Sequence, residues 1–480
     1  MGFPDEKGAG ARRVMANAGY LLATNAYRIL LNMAIFFVIA RVLGADELGR
    51  YAFALSYATL FSVAVHLGLN DLIIRQVAVN KADGPLYFTV AVITKLVTGV
   101  LITATTAVTI GVSGKPSMVQ ELVLAAALTT SLVSGVETVV VAFFYAHERM
   151  RYVLILGVMR VTLNAAAGIG AALAGFGARG VLWGFLAVEV LVAAFAFIWV
   201  RRLGLRFVRP SLPDFKQILW RSLPFGLNGV FITIYMQLHY SLLSFFRGDH
   251  ATGEYAAAAK LVTFLCFIPS ALTQALYPYL SRLAAADDGS PGRPAVRAVR
   301  YLALISLPAA LYLFFRADAV VSLVYGPGYA ESAKLLSLLA LTLPFVFASY
   351  PTAVALNALR RERANTAVAA GGAAINVAAN LVLVPLMGAA GAALAFLAAE
   401  ASQSVARLTL VRVFAGPLCF LRNVAPVFIP TAVMAGAMYF TRHLPLFGEM
   451  PILAVLYVGT AWATKVVPRE DLVRLLRRGK

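Results

Sequence analysis

Charge is scarce in this 480-residue chain: Asp, Glu, Lys and Arg together make up 13% of it, about half the share of a soluble domain. Acidic residues are scarcest, 22 against 41 Lys and Arg, while 61% of residues are hydrophobic and the mean hydropathy is +0.81. That balance excludes an ordinary water-soluble globular protein. There are 2 cysteines, Cys266 and Cys419, within or beside apolar runs. Neither belongs to a Cys-x-x-Cys or Cys/His cluster, so a disulfide framework or a thiolate metal site has no support. No Gly-x-x-x-x-Gly-Lys-Ser/Thr stretch occurs, which excludes ATP binding by a P-loop. The opening "MGFPDEKGAGARRVMANAG" has no apolar core followed by a small-residue cleavage site, and so does not read as a removable signal peptide. Glu6 stands where a myristoylation signal requires Ser or Thr.

What the chain has instead is apolar runs of roughly 20 residues, the length that crosses about 30 Å of hydrocarbon, one after another. The expected fold class is an all-α polytopic membrane protein with about fourteen transmembrane helices. They fall near 16–41, 48–70, 86–110, 119–146, 152–174, 180–201, 217–245, 254–281, 298–316, 332–358, 364–386, 389–412, 420–441 and 450–467. With the N-terminus inside, most of the 41 Lys and Arg fall in cytoplasmic tails, loops and helix ends, among them Arg201, Arg202, Arg282, Arg293, Arg360 and Arg361. This is the bias the positive-inside rule describes, and it places both termini in the cytoplasm. It also accounts for the net charge of +19: topology and attraction to anionic membrane lipid explain it, and no nucleic-acid partner is needed.

A repeat organises these helices. Gly44, Gly49, Tyr51, Ala52 and Ala54 match Gly248, Gly253, Tyr255, Ala256 and Ala258, each 204 positions later. "GARGVLWGFLAVE" (Gly177 to Glu189) matches "GAAGAALAFLAAE" (Gly388 to Glu400) 211 positions later. Similar shifts at both ends of a six-helix block indicate a duplication. The expected domains are residues 1–210, a six-helix bundle; 211–415, its repeat; and 416–480, two added helices with a basic cytoplasmic tail. Six is even, so the repeats are parallel. Gly44 and Gly248 are expected to end the first helix of each repeat, with Asp46, Glu47 or Asp249 favouring the N-terminus of the next. Residues 44–47 and 248–252 are then external hairpins. "GFGARG" (Gly175 to Gly180) has dinucleotide-site spacing but joins two membrane helices and follows no strand, so it is a connector.

Arg41, Leu43, Gly44, Gly49, Tyr51 and Ala54, followed by "HLGLNDLIIRQVA", resemble the start of polysaccharide repeat-unit (Wzx-type, O-antigen-like) flippases. These belong to the multidrug/oligosaccharidyl-lipid/polysaccharide exporter superfamily. Leu48 departs from the aromatic residue usual before the second glycine. The resemblance implies a pair of six-helix bundles that moves undecaprenyl-diphosphate-linked, or similar polyprenyl-linked, oligosaccharide across the cytoplasmic membrane by alternating access. The implied partners are that lipid, membrane lipid, and a polymerase and glycosyltransferases of the same pathway. No enzyme activity is implied.

Charges inside the spans give candidate site residues independently. Arg28 is near the middle of the first helix, and Asn25, Arg28 and Asn32 share one face. Lys95, Arg160 and Lys260 are the other intramembrane cations. Cavity lining is the favoured reading for Arg28; for Lys95 and Lys260 it balances against a structural role, and for Arg160 an ion pair with Glu137 competes. The repeat puts Ile232 where Arg28 stands and Ser56 where Lys260 stands, so these cations are not part of the duplicated scaffold. Cations in a low-dielectric cleft suit a lipid diphosphate, which Arg grips with paired donors. Asn228, Tyr235 and His239 share a face of the seventh helix and, with Gln274 and Tyr277, suit sugar hydroxyls; ordinary interhelical hydrogen bonds explain each singly. Asp71 and Glu137 could carry H+ or Na+, the coupling ions open to a protein with no other cofactor. Glu189 and Glu400 are repeat-equivalent, which favours a scaffold role.

Two other functions use the same features. A cation-coupled multidrug exporter of the same fold would favour acidic cavity linings, whereas the candidates here are mainly basic. A membrane glycosyltransferase or polymerase using Asp46 and Glu47 would need larger external loops. The topology is open to direct test. Single cysteines at positions 46 and 251 in a Cys-free background should react with an impermeant maleimide added outside intact cells. A cysteine at position 289 should not, and its labelling from outside would invert the assignment.

Overall fold

In the computed structural model, residues 6–66, 68–202, 207–285, 291–416, 420–464 and 466 are described. Among them all regular structure is helical. The first half contains α1 (Glu6–His66), α2 (Leu69–Val79), α3 (Gly84–Gly111), α4 (Ser117–Ala127), a π-helical turn (Leu128–Val133), α5 (Ser134–Ala146), α6 (Met150–Leu173) and α7 (Gly177–Arg201). Then follow α8 (Leu212–Leu265), α9 (Phe267–Ala284), α10 (Gly292–Phe315), α11 (Ala317–Tyr325), α12 (Ala330–Ala340), α13 (Leu343–Ala358), α14 (Glu362–Met387), α15 (Ala389–Ala415), α16 (Phe420–Thr441) and α17 (Leu446–Ala463). The chain forms two compact units, Met1–Ala256 and Ala257–Lys480. The joint of the sequence repeat, near residue 210, lies elsewhere, so residues 212–256 of α8 fold with the first unit.

By length and composition, 11 described helices can cross a membrane, or 12 when α12 and α13, bent by 45°, count as one span. The expected count of about fourteen is not reached on that measure, and the reason is a local one. Two of the long helical stretches, Tyr27–Val79 and Gly229–Ala284, each run through a glycine whose backbone is not helical: Gly44 has φ 75° and ψ 173°, and Gly248 has φ 85° and ψ 178°.

These glycines reverse the chain. Before Gly44, α1 lies along α6: the Tyr27 and Thr162 hydroxyls are 2.8 Å apart, and Ile35 and Ile39 share a core with Val161 and Ala172. After Gly44, α1 lies along α4 and α5, with Arg50 reaching the Met118 sulfur and Val65 against Gly135. A three-residue turn joins α5 to α6, so neighbours on opposite sides of it run in opposite directions, as do the two arms of α1. The second helix then continues past an αL break at Gly68, φ 70°, to Val79, beyond the expected end near 70. Residue 266 interrupts the corresponding helix of the second repeat, between α8 and α9.

Other irregularities recur at the spacing of the sequence repeat. The fourth helix of the first repeat carries the π turn at 128–133, and that of the second breaks between α12 and α13 at 341–342. Arg149 and Arg361, 212 positions apart, both open the fifth helix with non-helical backbone angles. Gly177 and Gly388, 211 apart, are both at positive φ, 58° and 63°, where the sixth helix begins.

The first hairpins of the two repeats meet inside the first unit. A Cβ on Gly49 would strike the Asp249 carbonyl, and a Cβ on Gly253 would strike the Ala45 carbonyl. Residues 45 and 249, like 49 and 253, are 204 apart, so the contact is reciprocal. Backbones approach this closely only where small residues allow it. Glu47 caps a neighbouring helix and not its own: its carboxylate accepts from the Ala178 amide at 2.9 Å, at the N-terminus of α7, where a negative charge is stabilised. Gly44 and Gly248 sit in a backbone region that is essentially glycine-only. Gly44→Ala should therefore cost about 1–3 kcal/mol, read as a lowered unfolding midpoint of the purified protein in detergent. Gly436→Ala, on α16 with open space at its Cβ, should not lower it.

Candidate functional site

Four helices of the first unit bring charge together in the bundle interior. Arg160 of α6 pairs with Glu137 of α5, at 2.7 Å, and with Glu189 of α7, at 3.1 Å. Ser134, one turn before Glu137, donates to Glu189. Lys95 of α3 is fully buried and donates to Asn70 Oδ1 at 2.8 Å and Thr138 Oγ1 at 2.9 Å. Two cations face two carboxylates, so the cluster is neutral overall. That neutrality is what makes it tolerable, because an uncompensated charge in this environment costs several kcal/mol. In the second repeat the positions corresponding to Glu137 and Arg160 are Ser349 and Gly372, with only Glu400 matching Glu189. The cluster belongs to the first repeat alone.

The sequence-derived residues divide accordingly. Arg160 forms the ion pair with Glu137 that its sequence position allowed, which leaves Glu137 engaged; Lys95 is turned into the helix packing. Asp71, near the start of α2, is exposed. Tyr235 and His239 are buried, and the His239 ring lies 4.2 Å from that of Tyr240 and 5.1 Å from that of Tyr255. His239 is thus part of an aromatic cluster beside the hairpin. Lys260 is half-buried and takes part in an interaction of its own. The side chains of Asn25 and Asn228 lie outside the described residues.

Arg28 differs from Lys95 and Arg160. It is exposed, one turn from the exposed Asn32, and it forms no hydrogen bond or ion pair with any described residue. Its neighbour Tyr27 is tied to Thr162 on α6, two positions beyond the clamped Arg160. The residues α1 presents here are a guanidinium whose five donors meet no described residue, and an amide.

Two sequence models match more than half of the chain each. That of the "Polysaccharide biosynthesis protein" family covers residues 14–284, and that of the "Lipid II flippase MurJ" family covers residues 169–457. The chain belongs to the families these two models describe. A curated relative, the "Probable lipid II flippase MurJ" of Rhizobium tropici, is 27% identical over 288 residues, 56% of this chain. The match spans about half of that relative's length, 53%. Among solved structures, a lipid II flippase MurJ in an inward closed conformation superposes with TM-score 0.75 at 14% identity, covering 95% of this chain and 99% of that one. An inward-facing multidrug resistance MATE family transporter of the MOP superfamily gives 0.67 at 18% identity, covering 80% and 94%. At these identities the likeness establishes the fold.

Within this fold, the buried cluster joins helices of the first six-helix set and Arg28 stands apart from it. Lys115 of the α3–α4 connector, which the sequence did not single out, is bound to Ser244 and Asp249 of the second repeat's hairpin. The cluster makes a stability prediction. Arg160→Met leaves two buried carboxylates facing Lys95 alone and should destabilise by about 3–5 kcal/mol, seen as loss of membrane-inserted protein. Adding Glu137→Gln should restore much of that loss, since one carboxylate then faces one cation and the set no longer buries net charge. If the double variant is no better than Arg160→Met, charge balance is not what the cluster provides.

Proposed function

We propose that the protein is a flippase that moves a polyprenyl-diphosphate-linked saccharide from the inner to the outer leaflet of the cytoplasmic membrane by alternating access, with both termini cytoplasmic. The observation that carries this reading is Arg28, an intramembrane guanidinium left exposed and without a partner among the described residues. A membrane protein keeps such a charge at a cost of roughly 2.5–3.5 kcal/mol at a helix centre, and an anionic head group repays it with paired hydrogen bonds. Asn32 beside it supplies an amide for a sugar hydroxyl.

The family matches support a lipid-linked cargo in general: one family is described by polysaccharide biosynthesis and the other by lipid II. The cargo we assign is the surface-polysaccharide repeat unit on its diphosphate lipid, supplied by glycosyltransferases and consumed by a polymerase. Reconstituted vesicles loaded in turn with such a repeat-unit lipid and with lipid II separate the two: faster flipping of lipid II would replace the repeat unit as cargo. The multidrug-exporter reading is disfavoured because it needs acidic groups open to substrate, and Glu137 and Glu189 are held by Arg160. Asp71, exposed at the start of α2, is the better placed of the two acidic candidates for binding H+ or Na+.

Arg28→Ala should lower flipping by roughly 10–100-fold, the worth of a charge-assisted hydrogen bond or two. Protein abundance should stay near normal, because an exposed side chain supports little packing. Arg28→Lys keeps the charge but loses the planar fork and should retain part of the activity. The measurement is appearance of the lipid-linked saccharide in the outer leaflet, normalised to inserted protein. Normal flux at normal abundance in Arg28→Ala would remove Arg28 from the site.

A further inference from the structure

We propose that Lys115 is a latch: it ties the two hairpins together at their tips and sets how often the space beneath them opens to the outside. This rests on the orientation proposed above, which puts those tips on the external face. Lys115 leaves the short connector between α3 and α4 and ends in a cage built almost wholly by other segments. Its ammonium donates to the Ser244 carbonyl and hydroxyl, both at 2.7 Å, and pairs with Asp249 at 3.2 Å, so its three N–H groups are all used. It also lies over the rings of Phe53, at 4.9 Å, and Phe245, at 5.5 Å. Phe53 belongs to the first repeat; Phe245, Ser244 and Asp249 belong to the second.

The surroundings reinforce the same junction. Ser244 donates to Asp249, and Arg50, which pairs with Glu47, lies 3.9 Å from the other oxygen of Asp249. Below Lys115, Ser56 of the first repeat and Ser241 of the second share a hydrogen bond of 2.8 Å, and both are buried. The glycine contact at Gly49 and Gly253 fits the backbones together but contributes no specific bond that resists their separation. Lys115 supplies a charged one.

The repeat shows that this contact is an addition to the scaffold. Tyr325 stands 210 positions after Lys115, in the corresponding connector, and its hydroxyl donates to the Ala257 carbonyl at 2.9 Å. Ala257 corresponds to Phe53, 204 positions earlier. Both connectors therefore close on the same point of the second helix of their own repeat. Lys115 adds a reach onto the hairpin of the other repeat, and that reach must break when the hairpins separate, together with the Asp46–His250 contact at 3.3 Å and the Ser56–Ser241 hydrogen bond.

The test uses the full chain with Cys266→Ser, Cys419→Ser and a reporter, Ser56→Cys, labelled by an impermeant maleimide in right-side-out and inside-out vesicles. With the latch intact, labelling should be slow. Lys115→Met and Asp249→Asn should each accelerate it roughly tenfold, the loss of one charge-assisted contact, at unchanged abundance. The exchange Lys115→Asp with Asp249→Lys should return it towards the slow rate. If Lys115→Met does not accumulate, Asp249→Asn decides alone. Unchanged labelling in a variant of normal abundance overturns the latch. Acceleration seen only in inside-out vesicles upholds the latch and overturns the proposed orientation instead.

Discussion

A charge inside hydrocarbon must be neutralised by a partner or kept for a ligand, and the interior of the first unit is arranged around that constraint. Arg160 is gripped by two carboxylates from the helices on either side of α6, while Lys95 ties α3 to α2 and α5 through neutral oxygens. Each bond joins a different pair of helices, so the set fixes their rotation as well as their separation. Apolar packing in lipid does this poorly, because a leucine gains little by facing protein in place of an acyl chain. Charge therefore sets the register here, and small residues set the distance.

Against that background Arg28 is conspicuous. The same six-helix set that provides partners for Lys95 and Arg160 provides none, among the described residues, for a guanidinium on α1. The second repeat keeps Ile232 at that place and reduces the buried cluster to Glu400 with Ser349 and Gly372. Duplication supplies the backbone, including the glycine reversals at Gly44 and Gly248. On the proposed reading, function is superimposed on one copy. Lys115 follows the same rule, a repeat-wide connector contact extended in one copy into an ion pair with Asp249.

Much of this was legible in the sequence because it is local. Apolar runs located the helices, and the breaks in them located Gly44 and Gly248. The glycine pairs 204 positions apart marked the close approach, since only glycine lets two backbones touch. The Arg160–Glu137 pair was readable because two opposite charges stood at matching depth in facing spans. What could not be read depends on where the chain goes afterwards. Glu47 looked like a cap for its own helix and caps α7. His239 looked like a sugar contact on a helical face and also packs tilted against Tyr240 and edge-on to Tyr255. The π turn at 128–133 leaves no mark in hydropathy, because it does not change the run of apolar residues. Nothing about "SGKPS" foretells that Lys115 reaches Asp249.

The central claim is that the exposed cation of α1 is kept for an anionic lipid head group. Equilibrium binding in nanodiscs tests it most directly, comparing a polyprenyl diphosphate with the neutral polyprenol of the same chain length. The account predicts that the diphosphate binds at least about tenfold tighter and that Arg28→Ala removes most of the difference while leaving polyprenol binding unchanged. Equal binding of the two lipids, or a preference that survives Arg28→Ala intact, would contradict it.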